Sequence, residues 1–257
     1  MPKICKIVVF DMDETLGQFV ELGIFIDSLE MYLGKELNQY EFNKVMGLFP
    51  EFLRPGILSI LKFVLTKKRS GKCNKIMIYT NNNGEKKWTY RIKDYFNYYF
   101  NTNVFDQAIC AYKVNGRQIE LCRTTYNKTV EDLINCTKLP ENTQICFIDD
   151  QYHEQMINDN VVYIHAAPYK MTISFNEMAY RYAKKYNVKD IHFIPFIISN
   201  MNKYHYRVLS KTKEEKSVDK LVGKEMFKHI KNFLKSSKIT HTRKRNKHKK
   251  NKTFKWI

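Results

Sequence analysis

The chain has 257 residues, 44% of them hydrophobic, and carries a formal net charge of +18. It can bury a core of one ordinary domain and still have an extension to spare. No apolar stretch approaches the roughly 20 residues of a membrane span, which excludes a transmembrane reading. The charge is uneven: residues 1–199 hold 25 Lys/Arg against 22 Asp/Glu, whereas residues 200–257 hold 19 against 4. This divides the chain into a nearly neutral body, 1–199, and a basic extension, 200–257, of a kind that favours polyanions such as nucleic acid.

In chain order, Ile4–Phe10 is an apolar run ending in acids, and it reads as a buried parallel strand rather than a signal peptide. Residues 30–49 read mainly as helix. Gly56–Lys67 follows Pro55 and places Ile57, Ile60, Leu61 and Val64 on one helical face. Lys75–Tyr79 is a second buried strand, and Glu85–Tyr99 a helix with Trp88, Ile92, Tyr95 and Phe96 on its apolar side. Within Val104–Cys122, Asn115-Gly116 between apolar residues predicts a hairpin. Thr129–Asn135 reads as a short helix, and Gln144–Ile148 and Val161–His165 as two more strands. Ser174 is placed to cap a helix running to Tyr186. Val218–Lys235 is amphipathic, with Val218, Val222, Met226 and Ile230 opposite Lys220, Lys224, Lys228, Lys231 and Lys235. From Ser236 onward the basic tract reads as disordered, and residues 238–257 as its polyanion-binding part. Strands alternating with helices predict an α/β fold with a parallel sheet. The six cysteines form no CxxC pair and read as free, reduced thiols. Together with the missing signal peptide they predict an intracellular protein, nuclear or cytoplasmic.

The strongest chemical signal is the way these strands end. Val8-Val-Phe-Asp11-Met-Asp13 and Ile145-Cys-Phe-Ile-Asp149-Asp150 each pass from a buried strand straight into paired acids. Ligands of open α/β sheets sit at the carboxyl ends of strands. Carboxylates gathered there repel one another, so a bound cation is the natural partner, and Mg²⁺ prefers such oxygens. The run Tyr79-Thr80-Asn81-Asn82 adds a hydroxyl and amides able to hold a phosphoryl oxygen. A single acid after a strand is more often a helix cap than a site. Three polar strand ends, two of them paired acids, are not accounted for that way. His153 follows the acid pair and could touch the site, but a surface histidine at a helix start is the preferred reading.

The set Asp11-x-Asp13-Glu-Thr-Leu16, then Tyr79-Thr80-Asn81, then a lysine, then Asp149-Asp150, resembles the haloacid dehalogenase superfamily of phosphotransferases over residues 4–168. Leu53-Arg54-Pro55-Gly56 is similar to a motif of the subgroup that acts on the C-terminal domain of RNA polymerase II. The helical reading of residues 18–52 departs from that subgroup, which keeps a strand pair there. The resemblance implies a Rossmannoid sheet flanked by helices, with a small β insertion and no large cap domain. It implies a Mg²⁺-dependent phosphatase in which Asp11 attacks phosphorus and forms an aspartyl-phosphate. Asp13 would act as acid and base and bind Mg²⁺ through its main-chain carbonyl. Thr80 and Asn81 would bind the phosphoryl group. Asp149 and Asp150 would complete the metal site with Asp11. The lysine that neutralises the phosphoryl group is Lys113 or Lys128, and Lys128 is preferred because it opens the helix leading to Asp149. A phosphoserine or phosphothreonine protein is the expected substrate. A nucleic-acid end phosphatase, a small-molecule phosphatase and a non-catalytic binding protein of the same fold are the alternatives.

Overall fold

The computed structural model describes residues 5–236 and 253–255. Strand β1 (Lys6–Phe10) is followed by three helices, α1 (Val20–Leu33), α2 (Gln39–Met46) and α3 (Ile57–Arg69), before β2 (Lys75–Tyr79). Helix α4 (Lys86–Phe100) leads to β3 (Gln107–Ile109), a two-residue hairpin β4 (Lys113–Val114) and β5 (Arg117–Gln118), and α5 (Val130–Thr137). Then come β6 (Gln144–Asp149), β7 (Val161–His165), α6 (Phe175–Tyr186), α7 (Phe193–Asn202) and α8 (Lys213–Lys235). The segment Thr253–Lys255 forms β8 beside β7.

The sheet order is β3-β2-β1-β6-β7-β8, with every pairing parallel. This is an α/β fold of Rossmann-like kind, and its strand order reverses between β1 and β6. Side chains alternate cleanly across the sheet, as the two-residue period of a strand requires. Val8, Phe10, Ile76, Ile78, Cys146 and Ile148 join one core cluster with the apolar faces of α1–α4 and α6–α8. Ile7, Val9, Met77, Tyr79, Ile145 and Phe147 join a smaller one covered by α5. The sheet is thus thickly covered on one face and thinly on the other.

Several predicted elements stand with shifted ends. The Asn115-Gly116 turn adopts left-handed backbone at both residues, φ 49° and 77°, which is what a two-residue hairpin loop needs. Ser174 caps α6 by accepting a hydrogen bond from the Glu177 N–H. Residues 18–52 are helical, with α1 in place of a strand pair. α1 begins ten residues before the predicted start at 30. Leu22, Ile24, Phe25, Ile26 and Leu29 bury it on several sides, so it lacks an amphipathic stripe. α7 was not anticipated. Pro195 is its third residue, inside the first turn, where a missing N–H costs no helical hydrogen bond.

The division expected at 199/200 falls inside α7, and α8 docks on the body. Val222, Met226, Ile230, Phe233 and Leu234 are buried, whereas Val218 is exposed and the five stripe lysines face outward. Gly223 permits the close approach, since a Cβ there would lie 2.1 Å from the Pro55 carbonyl oxygen. Lys6 Nζ donates to the carbonyls of Phe233 at 2.8 Å and Ser236 at 2.5 Å. The tract 238–252 lies outside the described residues, and with it most of the polyanion-binding reading. The free-thiol expectation is corrected: Cys122 and Cys136 form a disulfide, because the segment after the hairpin folds back over α5. Cys73, Cys110 and Cys146 are free and buried, and Cys5 is free and half-buried. No helix among the described residues is long and apolar enough to cross a membrane.

Glu21, in the first turn of α1, is fully buried. One carboxyl oxygen accepts from the Ile173 N–H at 3.0 Å, and the other has no partner. Burial pushes its pKa from 4.5 to about 7, against that one hydrogen bond. The folded state therefore holds a proton that the unfolded chain releases near 4.5. Stability contributed by this proton is complete below about 4.5, falls as pH climbs to about 7, and then levels off. Glu21→Gln removes the titration. Urea unfolding at pH 5 and pH 8 should show a loss of up to about 3 kcal/mol for the parent over that interval, and a flatter profile for the variant.

Candidate active site

The register of the sheet assembles the acids. Phe10 pairs with Ile148 on one side and Ile78 on the other, so Asp11 emerges level with Asp149 and Tyr79, with Thr80 one residue beyond. The Asp11 N–H still donates to the Ile148 carbonyl at 2.8 Å, which keeps the strands together to their last residues. This is the crevice where an open α/β sheet reverses its strand order. A cavity of about 270 Å³ lies there, lined by Asp11, Asp13, Thr80, Asn81, Asn82, Lys128, Asp149 and Asp150, with Gln18 among its remaining walls.

Lys128, and not Lys113, enters the cluster. Its Nζ donates to Asp11 Oδ1 at 2.5 Å and to Asp149 Oδ2 at 2.7 Å, and the side chain is only 2% exposed. Lys113 lies in the hairpin over the Tyr112 ring. Lys128 is aimed by the start of α5. Thr129 caps that helix by accepting from the Asp132 N–H, and its own N–H donates to the Tyr79 hydroxyl. Burial alone would depress the Lys128 pKa, but Asp11 and Asp149 outweigh it and raise it.

The carboxylates are unequal. Burial raises Asp11 well above the usual range, Lys128 opposes this, and Asp149 adds to it. Burial would also raise Asp149, but Lys128 and then His153 more than reverse it, and it sits low. Asp150 is pushed up to about 6 by burial and then by Asp149. Asp13 is pushed up to about 6 by burial, against a hydrogen bond of 2.7 Å from Asn82 Nδ2 to its Oδ2. Its Oδ1 is buried without a partner.

Oxygens of Asp11, Asp149 and Asp150 lie within 4.8 Å of one another. These three residues are the ones that would hold a cation here. The donor set fits a hard divalent cation, and the raised carboxylates are what one would relieve. The Asp13 side chain stands outside this trio. Thr80 Oγ1 accepts from the Asn82 N–H at 3.0 Å, leaving its proton free to donate. Asn81 lines the cavity, but its Oδ1 is taken by Arg123 Nη1 at 2.8 Å.

Arg123 carries no signal in the sequence, and Asn82, His153 and Arg54 take parts that the sequence does not assign them. Asn82, next to the anticipated Asn81, is the amide that reaches Asp13. His153 is corrected from a surface residue: its side chain is 10% exposed and its Nε2 lies 3.4 Å from Asp149 Oδ2. Arg123, 1% exposed, donates to the carbonyls of Thr80, Cys110, Tyr126 and Asn127, and so fixes the approach to Lys128. Arg54 was noted as part of a motif without a role. Its Nε donates to the Thr15 carbonyl at 2.7 Å, and its Nη2 to the carbonyls of Glu14 and, at 2.7 Å, Ala167. It clamps the loop after β1, where Glu14 holds left-handed backbone at φ 56°, to the loop after β7. Burial lowers its pKa to about 10, so it stays charged at neutral pH. A buried arginine in Arg-Pro-Gly was the available signal.

Compared with family models, curated proteins and solved structures, the chain matches none.

Arg54→Lys keeps the charge but replaces a planar fork by a point that cannot serve three carbonyls. The stranded carbonyls should cost about 2–4 kcal/mol, read as a lower urea midpoint at unchanged slope. A loss under about 0.5 kcal/mol would remove the clamp from the account of stability.

Proposed function

We propose that the chain is a Mg²⁺-dependent phosphatase of the haloacid dehalogenase type, with phosphoserine or phosphothreonine in a protein as substrate. The observation that carries this reading is one buried lysine, Lys128, bonded at once to Asp11 and Asp149. It neutralises one oxygen of Asp11 and leaves Oδ2 without a hydrogen bond in a cavity lined by Thr80.

Asp11, Asp149 and Asp150 would hold Mg²⁺, with the Asp13 main-chain carbonyl as a further oxygen. The ion supplies charge neutralisation for a phosphoryl group and for the acids around it. Asp11 Oδ2 attacks phosphorus, the bond to the leaving oxygen breaks, and Asp13 gives that oxygen its proton. Water then attacks the aspartyl-phosphate, Asp13 takes the proton back, and inorganic phosphate leaves. A carboxyl near 6 can carry a proton in one half-reaction and release it in the other. Thr80 and Lys128 hold the phosphoryl oxygens throughout. No separate cap domain stands over the cavity among the described residues, which suits a phosphorylated side chain on a polypeptide better than a small molecule needing enclosure.

Asp11→Asn preserves size and removes the nucleophile. Phosphate release from an aryl phosphate in Mg²⁺ should fall to background. Retention of more than about a tenth of the rate, a barrier change under ~1.4 kcal/mol, would refute the assignment.

Asp13→Asn removes the proton donor and spares the main-chain carbonyl. With alkyl phosphates the rate should fall by about 10²–10⁴-fold, and with good leaving groups by much less. Equal losses across a leaving-group series would exclude Asp13 as the acid.

A further inference from the structure

A second depression, of about 710 Å³, adjoins the acid cavity, and Val20 and Asn82 line both. Trp88, Tyr204 and Tyr206 wall it. Its charged residues are Asp27, Glu30, Glu36 and Glu85 against Lys87 and Arg91, a net of two negative charges. Arg91 is paired with Glu30 at 3.0 Å and Lys87 with Glu36, so these four cancel. Asp27 and Glu85 remain, both exposed to the groove and without an ion pair among the described residues. The Asp27 carboxyl sits above its ordinary value, first through partial burial, and then because Glu30 and Glu85 lie close, against the Tyr204 hydroxyl and Arg91.

The junction between the two depressions is also built for a ligand. Gln18 is 6% exposed and lines the acid cavity. Its Nε2 donates to the Tyr206 hydroxyl at 3.1 Å, and its Oε1 is buried without a partner. A buried amide oxygen left unpaired is costly. A peptide N–H passing from one depression to the other would satisfy it.

We propose that this groove receives the polypeptide flanking the phosphorylated residue, and that Asp27 and Glu85 select a segment carrying arginine or lysine beside that residue. The inference rests on the phosphatase reading for its phosphoryl end. A cationic side chain gains two carboxylates in a groove walled by the Trp88 and Tyr204 rings. A nucleic acid would bring its phosphodiesters against the same unpaired carboxylates and be repelled.

The test uses full-length protein in Mg²⁺ and fluorescent peptides that carry a non-hydrolysable phosphonate in place of phosphoserine. Their flanking residues are Arg, Ala or Glu, and affinity is read by anisotropy. Arg-flanked peptide should bind about five- to tenfold more tightly than the Ala-flanked one, and Glu-flanked peptide most weakly. Asp27→Asn with Glu85→Gln should bring the Arg/Ala ratio to within about twofold of unity. Asp27→Lys with Glu85→Lys should reverse the order of the Arg and Glu peptides. Equal affinities in the parent, or an unchanged Arg preference after charge reversal, would each overturn the proposal. A parallel aryl-phosphate assay separates the two readings. Turnover with no peptide preference sinks the groove alone, whereas an Arg preference that reverses with the lysines, without turnover, sinks the chemistry alone.

Discussion

Four carboxylates meet one lysine at the carboxyl ends of β1 and β6, and much of the structure serves that imbalance. Two neighbouring strands must each end in an acid at the same level, which the β1–β6 register provides. Lys128 must reach both acids from elsewhere in the chain, which the cap of α5 and the carbonyl bonds of Arg123 ensure. Even so, Asp11, Asp13 and Asp150 remain shifted upward, so positive charge is still short. Such a shortage is costly in a static core, and a bound cation would relieve it.

The loops around the cluster are held mainly by cations spent on neutral carbonyls. Arg54 and Arg123 are both nearly inaccessible, and neither forms an ion pair among the described residues. Arg54 gathers main-chain oxygens from two segments distant in sequence, and Arg123 ties the Tyr126 and Asn127 carbonyls to those of Thr80 and Cys110. A bidentate arginine–carboxylate pair there would instead occupy the oxygens of the acid cluster.

The reading of the sequence was most reliable where a pattern had one physical cause. Buried strands that end in acids located Asp11, Asp149 and Asp150, and the helix start before β6 favoured Lys128 over Lys113. It was weakest where burial is all-round or contacts are remote. α1 and α7 are apolar on several faces, so periodicity did not delimit them. The disulfide between Cys122 and Cys136 follows from the insert folding back, and no local spacing announces it. His153 and Asn82 join the cluster through loop geometry, whereas Asn81, the more obvious choice by position, turns to Arg123. The tie between Lys6 and Ser236 spans 230 positions and could not have been read from either end.

That last tie bears on how the molecule is made. β1 is at the centre of the sheet and carries the first acids of the cluster, yet Lys6 at its start is bonded to carbonyls at the end of α8. Gly223 of α8 likewise presses on Pro55, next to the Arg54 clamp. During synthesis the early strands leave the ribosome long before the helix that braces them, and β6, which supplies the paired acids, also follows late. Contacts of such range fold slowly, because loop closure must precede any gain from them. The acid cluster thus draws on residues from Asp11 to Asp150, and the strand that carries its first acids is braced by a residue as late as Ser236.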